Sequence, residues 1–173
     1  MWQQLYYVIF DTAAGWVGIL GSSDGLRRIT LPNPSKKQAQ ASLGTDAAQA
    51  TLSNDIFKDL MRRFQLYFTG RRVDFPDKLD LDEATVFQRQ VWEATRCIPY
   101  GQTKSYAWVA QQTGKPGAAR AVGQSLGKNP LPIIIPCHRV LKSDGTLGGF
   151  SGGLEMKKHL LTLEKVGTDT LLR

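Results

Sequence analysis

The residues of this chain best suited to chemistry are Cys137, His138 and Arg139, a thiol, an imidazole and a guanidinium at consecutive positions. A cysteine acts as a nucleophile only as its thiolate, and free cysteine is mostly protonated at neutral pH, so a base is needed beside it. His138 would point away from the sulfur along an extended chain. It would therefore act through one water, or across a bend after Pro136. An imidazole base wants a carboxylate to fix its tautomer. The second half of the chain offers Glu93, Asp144, Glu155, Glu164 and Asp169. Glu164, on an amphipathic helix that must pack against the core, is the candidate by elimination. A zinc site built from Cys97, Cys137, His138 and His159 would use the same atoms, but adjacent ligands and the lack of a C-x-x-C spacing argue against it. Cys97, near a helix end, reads as a core or structural cysteine.

Several elements must hold this group in place. Ile133 to Ile135 show no polar alternation, which predicts a short strand buried on both faces and stopped by Pro136. After Val140 a glycine-rich loop, Gly145 to Gly153 with Phe150 in it, could wall a pocket for a flat ligand. A last helix, Leu154 to Val166, turns Leu160, Leu161 and Leu163 inward and stops at Gly167. Upstream, Thr85 and Gln88 form a capping-box pattern that opens a helix with Phe87, Val91, Ala94 and Thr95 on its face, ended by Ile98-Pro99. Ser105 caps a short helix from Tyr106 to Gln112. The turn Thr113 to Gly117 leads into another, Ala118 to Leu126, so that the pair reads as a helix-turn-helix. The second of these helices carries small residues, Ala118, Ala119, Ala121, Val122, Gly123 and Ser125, with Arg120 as its one long charged side chain. A groove-reading helix in the broad major groove would carry several Arg, Asn or Gln. Small residues with one arginine suit close approach to the narrow minor groove.

The charge distribution agrees. The chain has a net charge of +7. Residues 1–83 hold ten Lys/Arg and ten Asp/Glu, whereas residues 84–173 hold twelve and five, along with both cysteines and both histidines. A basic excess confined to one half points to a polyanion, usually nucleic acid. The first half reads as an antiparallel meander, Leu5–Phe10, Trp16–Leu20 and Leu26–Leu31, separated by glycine-bearing turns. Pro32 to Asp46 reads as a loop. A helix is expected from about Ser53 to Thr69 along Ile56, Leu60, Phe64 and Phe68, with a further strand at Arg71–Phe75. The boundary falls at the polar segment 77–83, giving domains 1–83 and 84–173. The first, lacking Cys and His, is expected to be structural. No apolar run approaches the ~20 residues of a membrane span, no signal peptide opens the chain, and two cysteines make no disulfide framework. A reducing, cytoplasmic setting follows as the expectation.

Pro136-Cys137-His138-Arg139-Val140, with Asn129-Pro130, Ser105-Tyr106, Ala118 to Gly123 and Phe150-Ser151-Gly152-Gly153 in the same order, resembles the O6-alkylguanine-DNA alkyltransferase family. The match spans residues 84–173, and residues 1–83 fit the family's smaller α/β domain. The resemblance implies a fold: an N-terminal α/β domain, antiparallel sheet plus helix and ribonuclease H-like, followed by a mainly α domain with a winged helix-turn-helix. It also implies roles. An alkylated guanine is flipped out of duplex DNA, and Cys137 takes the alkyl group from its O6 (O4 of thymine less well) in a single irreversible turnover. His138 deprotonates Cys137 through water, with Glu164 orienting it. Tyr106 rotates the nucleotide and hydrogen-bonds the guanine, Arg120 fills the vacated space, and Asn129 ties the helix-turn-helix to the active-site strand. Pro132, Val140, Gly148, Phe150 and Ser151 line the guanine pocket. Ala118, Ala119, Ala121, Gly123, Ser125 and Lys128 join Arg120 and Tyr106 on the minor groove. Phe150 stands where well-known members often have Tyr. The N-terminal Cys and His that hold zinc in some relatives are missing, so neither metal nor cofactor is expected. The protein would act as a monomer, with clustering on DNA open. A non-catalytic damage sensor lacks the reactive cysteine, a winged-helix regulator needs no Cys-His pair, and a cysteine hydrolase needs an oxyanion hole that this sequence does not specify.

Overall fold

The computed structural model describes residues 3–166. The chain divides into two compact units between Asp82 and Glu83.

The first unit is built on a four-stranded sheet. Strands β1 (Leu5–Thr12), β2 (Gly15–Ser22) and β3 (Gly25–Ile29) form the antiparallel meander, and β4 (Thr51–Leu52) adds a parallel edge beside β1. Consecutive residues of β1 are buried, because both faces of the sheet are covered. Ile9 and Leu20 pack with Ala39, Leu43 and Ala47 on one face. The next residue of β1, Phe10, packs on the ring of Phe64, 6.4 Å between centroids. Helix α1 (Lys36–Ser42) supplies Ala39. It lies where the sequence suggested a loop, because its composition is polar and only Ala39 and Leu43, four residues apart, reach the core. Ser35 caps it, accepting from the Gln38 amide at 3.2 Å. Helix α2 (Lys58–Phe68) carries Phe64 and starts later than the apolar spacing suggested. Residues 54–57 form a turn, and Ile56 is 55% exposed. Arg71–Phe75 forms no strand. Phe75 instead sets its ring 4.8 Å from that of Phe64.

The second unit is mainly helical. Helix α3 (Val86–Arg96) opens with the full capping box: the Gln88 amide donates to the Thr85 hydroxyl at 3.1 Å, and the Thr85 amide to the Gln88 side chain at 3.0 Å. Cys97 follows it and is exposed, so it is not the core cysteine that its place near a helix end suggested. Helices α4 (Tyr106–Gln112) and α5 (Ala119–Gly127) form the helix-turn-helix. Ser105 caps α4, and the Trp92 indole of α3 donates to the Ser125 carbonyl of α5 at 2.9 Å. Two short parallel strands, β5 (Lys104–Ser105) and β6 (Val140–Leu141), pair Lys104 with Val140 and Ser105 with Leu141. After β6 the chain turns at 142–146, with the Lys142 amide donating to the Thr146 carbonyl at 2.9 Å. Helix α6 (Leu154–Leu163) closes the unit and ends before Val166. The expected stop at Gly167 and the carboxylate of Asp169 lie outside the described residues. Among the described residues, no helix is long and apolar enough to cross a membrane.

Candidate active site

The segment before Cys137 is not a strand. Ile133 and Ile134 form a tight turn, with the Ile135 amide donating back to the Leu131 carbonyl at 2.8 Å and Ile133 held at φ 75°. A β-branched residue in the left-handed region carries on the order of 1–3 kcal/mol of strain and persists only where its surroundings insist on it. Here Asn129 does so. Its side-chain oxygen accepts from the Leu131 amide at 2.9 Å, and its side-chain amide donates to the Ile135 carbonyl at 2.8 Å. The unbroken apolar run reflects burial of the turn, since Ile133, Ile134 and Ile135 are at most 3% exposed. Pro136, at φ −79° and ψ 66°, forms an inverse γ-turn closed by the Cys137 amide on the Ile135 carbonyl at 2.7 Å. Cys137–Arg139 then make one turn of 3-10 helix.

That turn sends its three side chains into the core. His138 is fully buried, and its Nε2 lies 2.7 Å from Glu164 Oε1. With the carboxylate ionised, Nε2 carries the proton and donates. Nδ1, buried and without a hydrogen-bond partner among the described residues, keeps a bare lone pair. Arg139 grips the same carboxylate with a fork, Nε to Oε2 at 2.9 Å and Nη2 to Oε1 at 2.8 Å, while its Nη1 donates to the Ile98 carbonyl at 2.7 Å. Burial alone would raise the pKa of Glu164, but the hydrogen bonds and charges of His138 and Arg139 hold it well below the usual carboxylate range. Burial lowers that of His138, opposed by the hydrogen bond and charge of Glu164 and helped by the Arg139 and Lys157 cations, so the imidazole stays neutral with the Nδ1 lone pair able to accept a proton. Burial pushes the Cys137 thiol up, opposed by the Asn129 side chain, the Lys157 charge and the amides of Cys137 and His138.

Lys157 is a second buried cation and has no carboxylate partner among the described residues. Its ammonium donates to the carbonyls of Val140 (2.8 Å), Gly149 (3.1 Å) and Leu147, and lies 5.8 Å from the Tyr106 ring centroid. Burial lowers its pKa to about 8, with the Cys137 charge acting in the other direction. Three carbonyls occupy its three N–H donors, so the glycine loop is tied back onto β6. Tyr106 packs against the same loop. A side chain at Gly148, which sits at φ 68°, would put its Cβ 2.8 Å from the Tyr106 hydroxyl oxygen. The Tyr106 hydroxyl donates to the Gly149 carbonyl at 3.4 Å, and burial followed by the Cys137 charge raises its pKa, keeping it a phenol.

A cavity of about 770 Å³ lies in front of Cys137. Of the expected residues, Tyr106, Ala119, Arg120 and Gly123 line it from the helix-turn-helix, and Gly148, Phe150 and Ser151 from the glycine loop. Ala118, Ala121 and Lys128 belong to the helix-turn-helix but not to this lining. Ser125, expected to face DNA, is buried on the inward side of α5. Pro132 and Val140, expected as pocket walls, are buried and do not belong to this lining, and the Val140 carbonyl accepts from Lys157. Asn129, His138 and Glu164 stand behind the nucleophile. Cys97 and His159 are exposed, whereas Cys137 and His138 are buried, so the alternative zinc ligands do not gather. The sequence singled out Arg139 beside Cys137 and His138 without giving it a partner or a role, and it did not single out Lys157. The signal for Lys157 was present: Lys157, Leu160, Leu161 and Glu164 fall on one face of α6, two charges on a stripe that packs inward.

These features define a class: a helix-turn-helix protein with a buried thiol nucleophile, backed by a histidine–carboxylate pair and opening onto a cavity beside the second helix. Comparison with known proteins narrows it. Residues 86–166 match the family model described as 6-O-methylguanine DNA methyltransferase, DNA binding domain, and residues 5–81 match the ribonuclease-like domain of the same family. The methylated-DNA–protein-cysteine methyltransferase of Methanosarcina acetivorans is 37% identical over 161 residues, covering 92% of this chain and 98% of that protein. The Haemophilus influenzae protein of the same name is 38% identical over 168 residues, covering 94% and 87%. Among solved structures, Mycobacterium tuberculosis OGT in complex with DNA is 37% identical, with a TM-score of 0.79 over 97% of this chain and 99% of that one. The chain belongs to the 6-O-methylguanine DNA methyltransferase family.

Proposed function

We propose that the protein repairs DNA directly, moving an alkyl group from O6 of guanine (O4 of thymine less well) onto its own Cys137. The observation that carries this reading is the buried thiol at the cavity floor, with a neutral histidine and an ionised carboxylate behind it. His138 Nδ1 takes the thiol proton through a bridging water, and the Nε2–H···Glu164 bond steadies the imidazolium that forms. The Lys157 ammonium and the amides at the start of the 3-10 turn favour the thiolate. The sulfur's electron pair forms the S–C bond as the C–O6 bond breaks, and that pair leaves with the guanine oxygen. The departing guanine takes up one proton, matching the one the thiol gave up, so the products are guanine and S-alkylcysteine. The Tyr106 phenol donates a hydrogen bond to the departing base. Because a thioether does not revert, each molecule acts once.

DNA binding is proposed through the helix-turn-helix, with the small-residue face of α5 against the minor groove and Arg120 in the space the base leaves. Tyr106, Ala118, Ala119, Ala121, Gly123 and Lys128 flank that contact. The protein acts as a monomer, without metal or cofactor, in the cytoplasm, where Cys137 stays reduced.

The test is mass spectrometry after incubation with duplex DNA carrying O6-methylguanine. A gain of one methylene unit (~14 Da) on the peptide containing Cys137, absent in Cys137→Ser, is expected. An unchanged mass under conditions where the duplex is bound would overturn the reading.

A further inference from the structure

The cavity in front of Cys137 carries charge that displacement at an alkyl carbon does not itself require. Among the described residues its lining includes two cations, Arg120 and Lys142, and no carboxylate. Arg120 comes from α5. Lys142 comes directly after β6. The parallel pairing of Ser105 with Leu141 makes Lys142 follow β6 as Tyr106 follows β5, and both residues line the cavity.

The backbone at Lys142 is fixed in both directions. Its amide donates to the Thr146 carbonyl at 2.9 Å, and its carbonyl accepts from the Gly145 amide at 2.9 Å. Lys142 and its neighbour Ser143 are exposed, which puts them at the mouth of the cavity, not its floor. Asp144, whose carboxyl feels the Lys142 charge, turns its Oδ1 to Thr146, accepting from the amide at 2.9 Å and from the hydroxyl at 2.7 Å.

A nucleotide turned out of a duplex brings more than its base. The phosphodiesters on either side of it arrive at the pocket mouth, and each carries a full negative charge. We infer that Lys142, with the Ser143 hydroxyl beside it, forms a phosphate subsite at the cavity mouth that grips a backbone phosphate flanking the extruded nucleotide. The inference rests on the alkyl-transfer reading above and adds a specificity element to it. The base is selected inside the cavity, and membership of a strand is selected at its rim.

The subsite is tested with two small substrates that need no duplex, O6-benzyl-2′-deoxyguanosine and its 3′,5′-bisphosphate. The rate of benzyl transfer to Cys137 is followed by mass at low ionic strength. The wild-type protein is expected to react faster with the bisphosphate by roughly three- to fivefold, the range of an exposed ion pair. In Lys142→Ala this ratio falls to about one, while in Lys142→Arg it is retained. Lys158→Ala removes a positive charge from α6 outside the cavity lining and keeps the wild-type ratio. Reaction of the phosphate-free nucleoside with Lys142→Ala reports that the variant is folded, and Lys142→Gln substitutes for it otherwise. Equal wild-type rates with the two compounds, or a preference that survives loss of Lys142, would overturn the subsite alone. Failure of Cys137 to react with either compound or with the methylated duplex would overturn the alkyl-transfer reading instead.

Discussion

Charge is handled differently in the two units of the chain. In the first, ion pairs lie toward the surface and brace loops: Arg63 forks onto Asp77 at 2.7 and 2.8 Å, reaches Asp59 at 2.8 Å, and lies over the Phe75 ring. The buried carboxylate of that unit, Asp80, pairs with the Arg27 guanidinium and the Ser22 hydroxyl near the sheet's edge. In the second unit, His138, Arg139, Lys157 and Glu164 all sit inside the core, each less than a tenth exposed. Burying ionisable groups is costly, and replacing them by apolar ones of the same shape is often neutral or stabilising. A fold seeking only stability would not collect four such groups. Their presence behind one thiol says that the second core is arranged for chemistry, with the first unit's pairs serving as local bracing.

This contrast can be broken at four points. Glu164→Ala leaves Arg139 charged and both residues without their shared acceptor, so a loss of about 3–5 kcal/mol in urea unfolding is expected, with alkyl transfer abolished. A loss below 1 kcal/mol would show that the network is not integral to the core.

Lys157→Met comes next. Removing a cation that favours the Cys137 thiolate must raise the thiol's pKa, so the rise of iodoacetamide reactivity with pH moves to higher pH. Alkyl transfer at neutral pH falls roughly tenfold, equivalent to about 1.4 kcal/mol. An unmoved pH profile would reduce Lys157 to a tie between carbonyls.

The third test is acid stability. His138 is held neutral in the folded state, with its pKa below the ordinary 6.5. As pH falls below 6.5 the unfolded chain takes up a proton there that the folded chain does not, and stability declines. Glu164, with a depressed folded pKa, contributes stability that is fully present above its ordinary 4.5 and is lost as the pH falls below that value. Urea midpoints should therefore decline in two stages on acidification, and His138→Gln should flatten the upper one. A midpoint constant from pH 7 to 5 would contradict a buried neutral His138.

The smallest effect belongs to the first unit. Asp77→Asn should cost less than about 1 kcal/mol and leave Cys137 as reactive as before. A larger cost would place the Arg63 cluster on the same footing as the Glu164 network.

Local rules carried part of this protein from sequence alone. The Thr85–Gln88 capping box and the Ser105 cap formed where the residues stand, because a cap needs only its own helix's amides. The meander followed from apolar runs punctuated by glycines. Family resemblance, not spacing, assigned Tyr106, Asn129 and the pocket residues their roles. Other features depended on chain segments far apart in sequence. Helix α1 is too polar and too short to announce itself, and it exists because Ala39 and Leu43 find the sheet. Ile133 to Ile135 read as a strand because an unbroken apolar run says only that a segment is buried, not what shape it takes. Its turn is set by the Asn129 side chain and closed by Pro136. Lys157 stood on the inward stripe of α6 in the sequence, but the carbonyls of Val140, Leu147 and Gly149 that hold it are positioned only by the packing of that helix on β6 and the glycine loop. What the sequence by itself determined was the helix caps, the strands of the meander, and the order of the residues that meet at the site. Tertiary structure alone decided which buried charges share a carboxylate and which are left facing the thiol, since burial and pairing depend on neighbours that no local pattern specifies.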